Sequence, residues 1–207
     1  MCGRYVVTNA VTKTKGLVKS AIQIEDNENY NAHPYQNLPV IKKYTNGSAL
    51  EKLKWGIVPS WSKKKDFKPL INSRLETIDE KISFKKLIKL KRCIAIADGF
   101  YEWKRTEKEK KPFFFQRQDK KTIYFAGIYD ENEFCLITEQ ASENLLAIHH
   151  RQPVILNQKD LKSYLDLQLD GSAFLKEAKK PRLEFYEVSK DVNKPTNNSV
   201  SLIQKSN

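Results

Sequence analysis

The sequence predicts a single α+β domain built mainly from strands, and three observations carry that expectation. Short runs rich in β-branched and aromatic residues recur between turn signals along most of the chain. Neither an internal repeat nor a Pro/Gly/Ser-rich linker interrupts it, and glycine is scarce at 7 of 207 residues. The hydrophobic set is 40% and the aromatics 11%, enough to fill one core of this length without disulfides. The domain is expected to span 1–189. Beyond it, residues 190–207, rich in Asn, Ser and Lys, read as a loosely held tail.

Taken in order, β-prone Tyr5, Val6 and Val7 predict a first strand over 4–8, and a short helix follows around 12–20. Past an acidic, Asn-rich turn, strands are expected at 38–44 and 50–58, then a loop over 59–69 that carries Trp61 and Lys63-Lys64-Lys65. The spacing of Ile82, Phe84, Leu87 and Ile88, with Asp79-Glu80 ahead of it, predicts a helix over 79–90. Strands are then expected at 93–97, 99–104, 112–116, 122–129 and 133–138, the second and third joined by a charged hairpin over 105–111. Short helices at 142–147, 159–165 and 172–178 flank a strand at 153–156, and 183–188 is the last strand.

Lys and Arg total 37 against 25 Asp and Glu, a net charge of +12. Such an excess favours a polyanion such as nucleic acid, but a solvated lysine-rich surface accounts for it equally well. The apolar runs are far shorter than the roughly 18 residues of a membrane span, and no apolar stretch follows Met1 as in a secretion signal. The expected location is the cytoplasm, at the nucleoid in a prokaryote. No GxGxxG, Walker A or HExxH sequence occurs, so no nucleotide, metal or other cofactor is expected.

Cys2, Cys93 and Cys135 are odd in number and form no CxxC pair, as for thiols of a reducing compartment. Cys93 and Cys135 lie in apolar strands and read as inert small hydrophobes. Cys2 is either a first-strand cysteine or, once Met1 is removed, a terminal residue with amine and thiol on adjacent carbons. A 1,2-aminothiol condenses with an aldehyde to an imine, which the thiol then closes to a thiazolidine.

Five segments concentrate unusual residue choices: Met1-Cys2-Gly3-Arg4, Trp55 to Trp61, Asn72 to Thr77, Ala97 to Trp103 and Ile148 to Leu156. Each has a bland reading alone. Glu102 would be the outward side of an alternating strand, the histidines a helix cap, the tryptophans core. In this order and spacing, together they resemble the SRAP family, the SOS response-associated peptidase-like proteins that shield abasic sites in single-stranded DNA. The resemblance covers about residues 2–165.

It implies a largely antiparallel, curved or barrel-like sheet flanked by short helices. It further implies that Cys2 crosslinks to the ring-opened aldehyde of an abasic deoxyribose, that Asn72 hydrogen-bonds near it, that Glu102 handles protons at amine and imine, and that His149 assists ring opening. Arg4 and Arg74 are implied as phosphate contacts, with Trp55, Pro59 and Trp61, and Pro34 beside them, as a base-stacking surface. Here His150 stands where the family usually has an acidic residue, and Gln152 where it commonly has Met. The implied partner is single-stranded DNA bearing abasic sites, with the replication machinery as a further partner and the chain acting as a monomer. Weak lyase activity and self-removal of Met1 fit the same site. The competing classes are an N-terminal-nucleophile cysteine hydrolase, either a peptidase or a glutamine amidotransferase, and a non-catalytic single-strand binder.

Overall fold

A computed structural model describes residues 2–21, 24–45, 47–62 and 66–206. The strands are β1 (Tyr5–Val7), β2 (Ser20–Ala21), β3 (Asn29–Ala32), β4 (Asn37–Tyr44), β5 (Gly47–Trp55), β6 (Asn72–Arg74), β7 (Arg92–Ala97), β8 (Gly99–Arg105), β9 (Lys110–Arg117), β10 (Ile123–Asp130), β11 (Glu133–Gln140), β12 (Arg151–Pro153), β13 (Ile155–Leu156) and β14 (Leu183–Glu187). Five short helices join them: α1 (Ala10–Thr14), α2 (Leu87–Leu90), α3 (Glu143–Leu146), α4 (Leu161–Leu165) and α5 (Gly171–Glu177). Among the described residues, no helix is long and apolar enough to cross a membrane.

The larger sheet runs β12-β11-β10-β7-β4-β5-β2, and a parallel pairing of β11 with β5 (Phe134 with Trp55) closes its middle into a ring. The smaller sheet, β14-β9-β8-β1-β3, is antiparallel. Alternation along β7 shows how the layers are filled. Cys93, Ala95 and Ala97 face the core shared by the ring interior and the smaller sheet, together with Tyr5, Phe100 and Phe125. Ile94 and Ile96 face the other way, under Leu87, Leu161 and Tyr164 of the helices. With both faces covered, all six β7 residues are buried, the apolar run Cys93–Ala97 and Arg92 before it. Gly99, opposite Val6, is required where β1 meets β8, because a Cβ there would lie 2.2 Å from the Phe114 ring.

The strand-rich α+β expectation holds, and three local expectations change. Of the helix expected over 79–90, only Leu87–Leu90 is α-helical. Lys81, Lys85, Lys86, Lys89, Lys91 and Arg92 set like charges four apart with no acid between them, which disfavours one continuous helix. The helix expected over 12–20 ends at Thr14, and residues 20–21 form a strand. The polar tail is docked rather than loose. Val192 and Leu202 are 0% and 2% exposed against Val6, Tyr101 and Phe114, and the Ser206 N–H donates to the Glu187 carbonyl. The lysine run at 63–65 lies outside the described residues.

Candidate active site

Cys2 lies three residues before Tyr5, the first residue of β1, and is wholly buried. Its carbonyl accepts a hydrogen bond from Asn72 Nδ2 at 3.0 Å. Asn72 is delivered there because β6 lies parallel to β11, Asn72 opposite Leu136. The other amide atom, Asn72 Oδ1, is buried without a hydrogen-bond partner among the described residues. Burial, and then the charge of Glu102, push the Cys2 thiol far above its ordinary range, so the sulfur is held as a thiol.

Glu102 comes from β8, the strand next to β1. It is 4% exposed, so it is not the outward side of an alternating strand. Desolvation raises its pKa, against the Trp103 backbone and His150, which pull it down. A carboxyl in that condition can donate a proton nearer neutrality than a free one.

His149 follows α3 and shares a 280 Å³ pocket with Glu102, Arg4 and Trp103. Cys2 does not line this pocket. His149 Nδ1 lies 3.0 Å from the Arg151 backbone nitrogen and 3.1 Å from the Arg151 carbonyl oxygen, so the backbone of Arg151 holds the ring in place, accepting or donating according to its tautomer. Arg151 is itself fixed by paired hydrogen bonds to Glu76, at 2.7 and 2.9 Å. Burial lowers the His149 pKa. His150 stacks on His149 with ring centroids 4.5 Å apart, and the neighbouring His149 charge lowers its pKa too.

Arg4 reaches the pocket with part of its guanidinium committed. Nη1 donates to Asn31 Oδ1 at 2.6 Å and to the Val192 carbonyl at 2.8 Å. Asn31, 1% exposed, also donates through Nδ2 to the Lys194 and Asn197 carbonyls. Trp103 Nε1 donates to Asn193 Oδ1 at 2.7 Å, so the docked tail forms one wall of the pocket. Arg74, at the end of β6, is exposed and adds to the positive surroundings of His150.

The structure therefore brings Cys2, Asn72, Glu102, His149 and Arg4 into one neighbourhood, with Arg74 at its edge. The proposed stacking residues divide. Trp55 is 0% exposed, stacked on Phe134 and bonded through Nε1 to the Ile71 carbonyl. It cannot offer a face to a base and is a core residue. Pro59 is buried and Pro34 half-buried. Trp61 is 52% exposed, edge-on to Phe67. Tyr35, 47% exposed, sits at φ 76° beside Gly56, and sequence reasoning did not count it as a platform. Asn31 and Asn193 were also missed, because their roles depend on the tail docking. Among the described residues no group of three or more His, Cys, Asp or Glu could hold a metal.

Residues 1–195 match the profile of the family described as SOS response associated peptidase (SRAP). The chain is 34% identical over 222 residues to the abasic site processing protein YoqW of Bacillus subtilis, covering 99% of each. It is 31% identical over 185 residues to the abasic site processing protein YedK of Escherichia coli, covering 83% of this chain and 82% of that one. Among solved structures, a protein from Bacteroides thetaiotaomicron superposes with a TM-score of 0.75 at 23% identity, covering 97% of this chain and 91% of that chain. That likeness is one of fold.

Proposed function

This chain belongs to the SOS response associated peptidase (SRAP) family, and from that membership and the pocket's chemistry we propose that it captures abasic sites in single-stranded DNA through Cys2. The observation that carries the reading is a buried carboxyl, Glu102, on the strand beside the one that follows Cys2, in a pocket shared with His149.

An abasic deoxyribose is mostly a closed hemiacetal. His149, its pKa lowered by burial, is suited to take the proton of the anomeric hydroxyl and pass it to the ring oxygen as the sugar opens to the aldehyde. Removal of Met1 frees the Cys2 amine, which adds to the aldehyde carbon to give a carbinolamine. Glu102 then donates the proton that lets hydroxide leave as water, and an imine remains. The Cys2 thiol adds across the C=N bond, its sulfur to carbon and its proton to nitrogen, closing the thiazolidine. The aldehyde and the aminothiol thus give one ring and one water. Because carbon is held through both sulfur and nitrogen, reversal of one bond does not free the DNA, which suits a shield. Arg74 and the uncommitted part of Arg4 supply phosphate contacts, and Trp61 supplies a stacking face.

The test is incubation with a single-stranded oligonucleotide carrying one abasic site, followed by denaturing electrophoresis. A heat-stable adduct is expected from the wild type, and equal yields from wild type and Cys2→Ser would end the proposal. Intact mass measures Met1 in the same samples, and adduct formation should track its removal.

A further inference from the structure

The β8–β9 hairpin sets Arg105 directly opposite Lys110, at the end of the ladder that also carries Glu102. Like charges opposed across a strand pair destabilise a hairpin. The next rung inward, Lys104 opposite Lys111, repeats the conflict but is relieved, because Lys111 pairs with Glu187 at 3.2 Å and Glu109 at 3.7 Å. Lys190, beside the same hairpin, pairs with Glu109 as well. Arg105 and Lys110 have no acidic partner within 4 Å among the described residues, and both are exposed. They are also the two hairpin cations that line the pocket with Glu102 and His149. Folding does not call for this pairing, whereas an anion lodged between the two charges would relieve it.

We propose that Arg105 and Lys110 form a phosphate seat, which takes a backbone phosphodiester flanking the abasic sugar and so sets the sugar against Glu102 and His149. The proposal rests on the abasic-site reading for the identity of the nucleotide, but the seat itself is a binding site for the phosphate of a single strand. A terminal phosphomonoester has the same chemistry and would compete for it.

The experiment uses the full chain and a fluorescent single-stranded oligonucleotide bearing a tetrahydrofuran abasic analogue, which cannot form an adduct. Anisotropy across a salt series compares wild type, R105Q/K110Q and the charge-matched K104Q/K108Q, on the same hairpin but outside the pocket lining. R105Q/K110Q should weaken binding about tenfold and flatten the salt slope by about 0.7, the contribution of one single-strand phosphate contact. K104Q/K108Q should lose less than about threefold. R105Q/K110Q should also melt no lower than wild type, because a repulsion has been removed. Oligonucleotides in which the analogue is terminal, lacking the phosphate on one side or the other, distinguish the sources. Loss of the R105Q/K110Q effect with one of them assigns the flanking diester. A seat that takes only a strand end would keep its effect with a 5′- or 3′-phosphorylated end alone, which overturns the diester assignment. Equal losses in the two double variants overturn the seat altogether. Failure of the abasic-site reading is separate: wild type would bind the analogue but form no adduct with the aldehyde-bearing strand.

Discussion

Asn72 Nδ2 donates to the carbonyl oxygen of Cys2 at 3.0 Å across 70 residues of chain. The bond ties the start of the smaller sheet to β6, which is itself held by β11 of the ring. The position of Cys2 is therefore set by both sheets, which suits the proposed role of a nucleophile that meets Glu102 in one geometry.

Asn72→Ala removes that bond and leaves the Cys2 carbonyl unsatisfied. Stability should fall by about 1–2 kcal/mol in urea unfolding. The rate of adduct formation should fall more than stability accounts for, on the order of tenfold, because the variant stays folded but the Cys2 backbone is no longer pinned. Unchanged rates in a folded Asn72→Ala protein would show that β11 and β1 hold Cys2 without help.

Glu102 and His149 give opposite pH signatures. Burial raises Glu102 above the ordinary 4.5, so its folded form keeps a proton that the unfolded chain has lost. Its contribution to stability is full below 4.5 and is lost as pH rises through the folded value. Burial lowers His149 below the ordinary 6.5, so its contribution is full above 6.5 and is lost as pH falls through the folded value. Glu102→Gln should therefore gain stability relative to wild type between pH 5 and 7 while adduct formation drops about 100-fold or more. His149→Ala should lose a similar factor and abolish the acid limb of the rate profile, with His150→Ala close to wild type. Melts and single-turnover rates over pH 4.5–8 read both.

Much of this was legible in the sequence, for reasons that differ by residue. Strand positions from β4 to β11, except β6, could be read because apolar runs and turn residues are local signals. Cys2, Asn72, Glu102 and His149 stand out because their neighbours form specific motifs, and the structure brings them together. What sequence could not supply is which side of a strand each residue takes and what packs above it. Glu102 alternates as an outward residue yet is covered. Trp55 and Trp61 look alike six residues apart, but one ends a ring strand and the other sits on the loop beyond it. The opposition of Arg105 to Lys110 exists only once the register of β8 and β9 is known. The tail misled because composition reports solubility, whereas Val192 and Leu202 supply just enough apolar surface to dock it.

Docking of the tail leads to a stability prediction. Truncation after Ser189 would remove Val192 and Leu202 from beside Val6, Tyr101 and Phe114, and would leave Asn31 and Arg4 without their backbone acceptors. Burial of two apolar side chains at about 1.5–3 kcal/mol each sets the scale, so a loss of at least about 3 kcal/mol is expected in urea unfolding. A truncated chain as stable as the full one would mean that the segment contributes little beyond the pocket wall.

The two tryptophans make opposite predictions that separate core from binding surface. Trp55 is fully buried between Tyr5 and Phe134, so Trp55→Ala should cost about 3–5 kcal/mol, and any effect on DNA would follow from unfolding. Trp61 is 52% exposed and touches Phe67 only at its edge, so Trp61→Ala should leave stability within about 0.5 kcal/mol. Its loss should nevertheless weaken single-strand binding by about 1–3 kcal/mol, the usual worth of one stacked base. Trp61→Phe should recover part of that affinity, since a smaller ring still offers a stacking face, whereas Trp61→Leu should not. Anisotropy on folded protein measures this directly. A Leu variant that binds as well as Phe would show that the loop contributes apolar contact rather than a platform for bases.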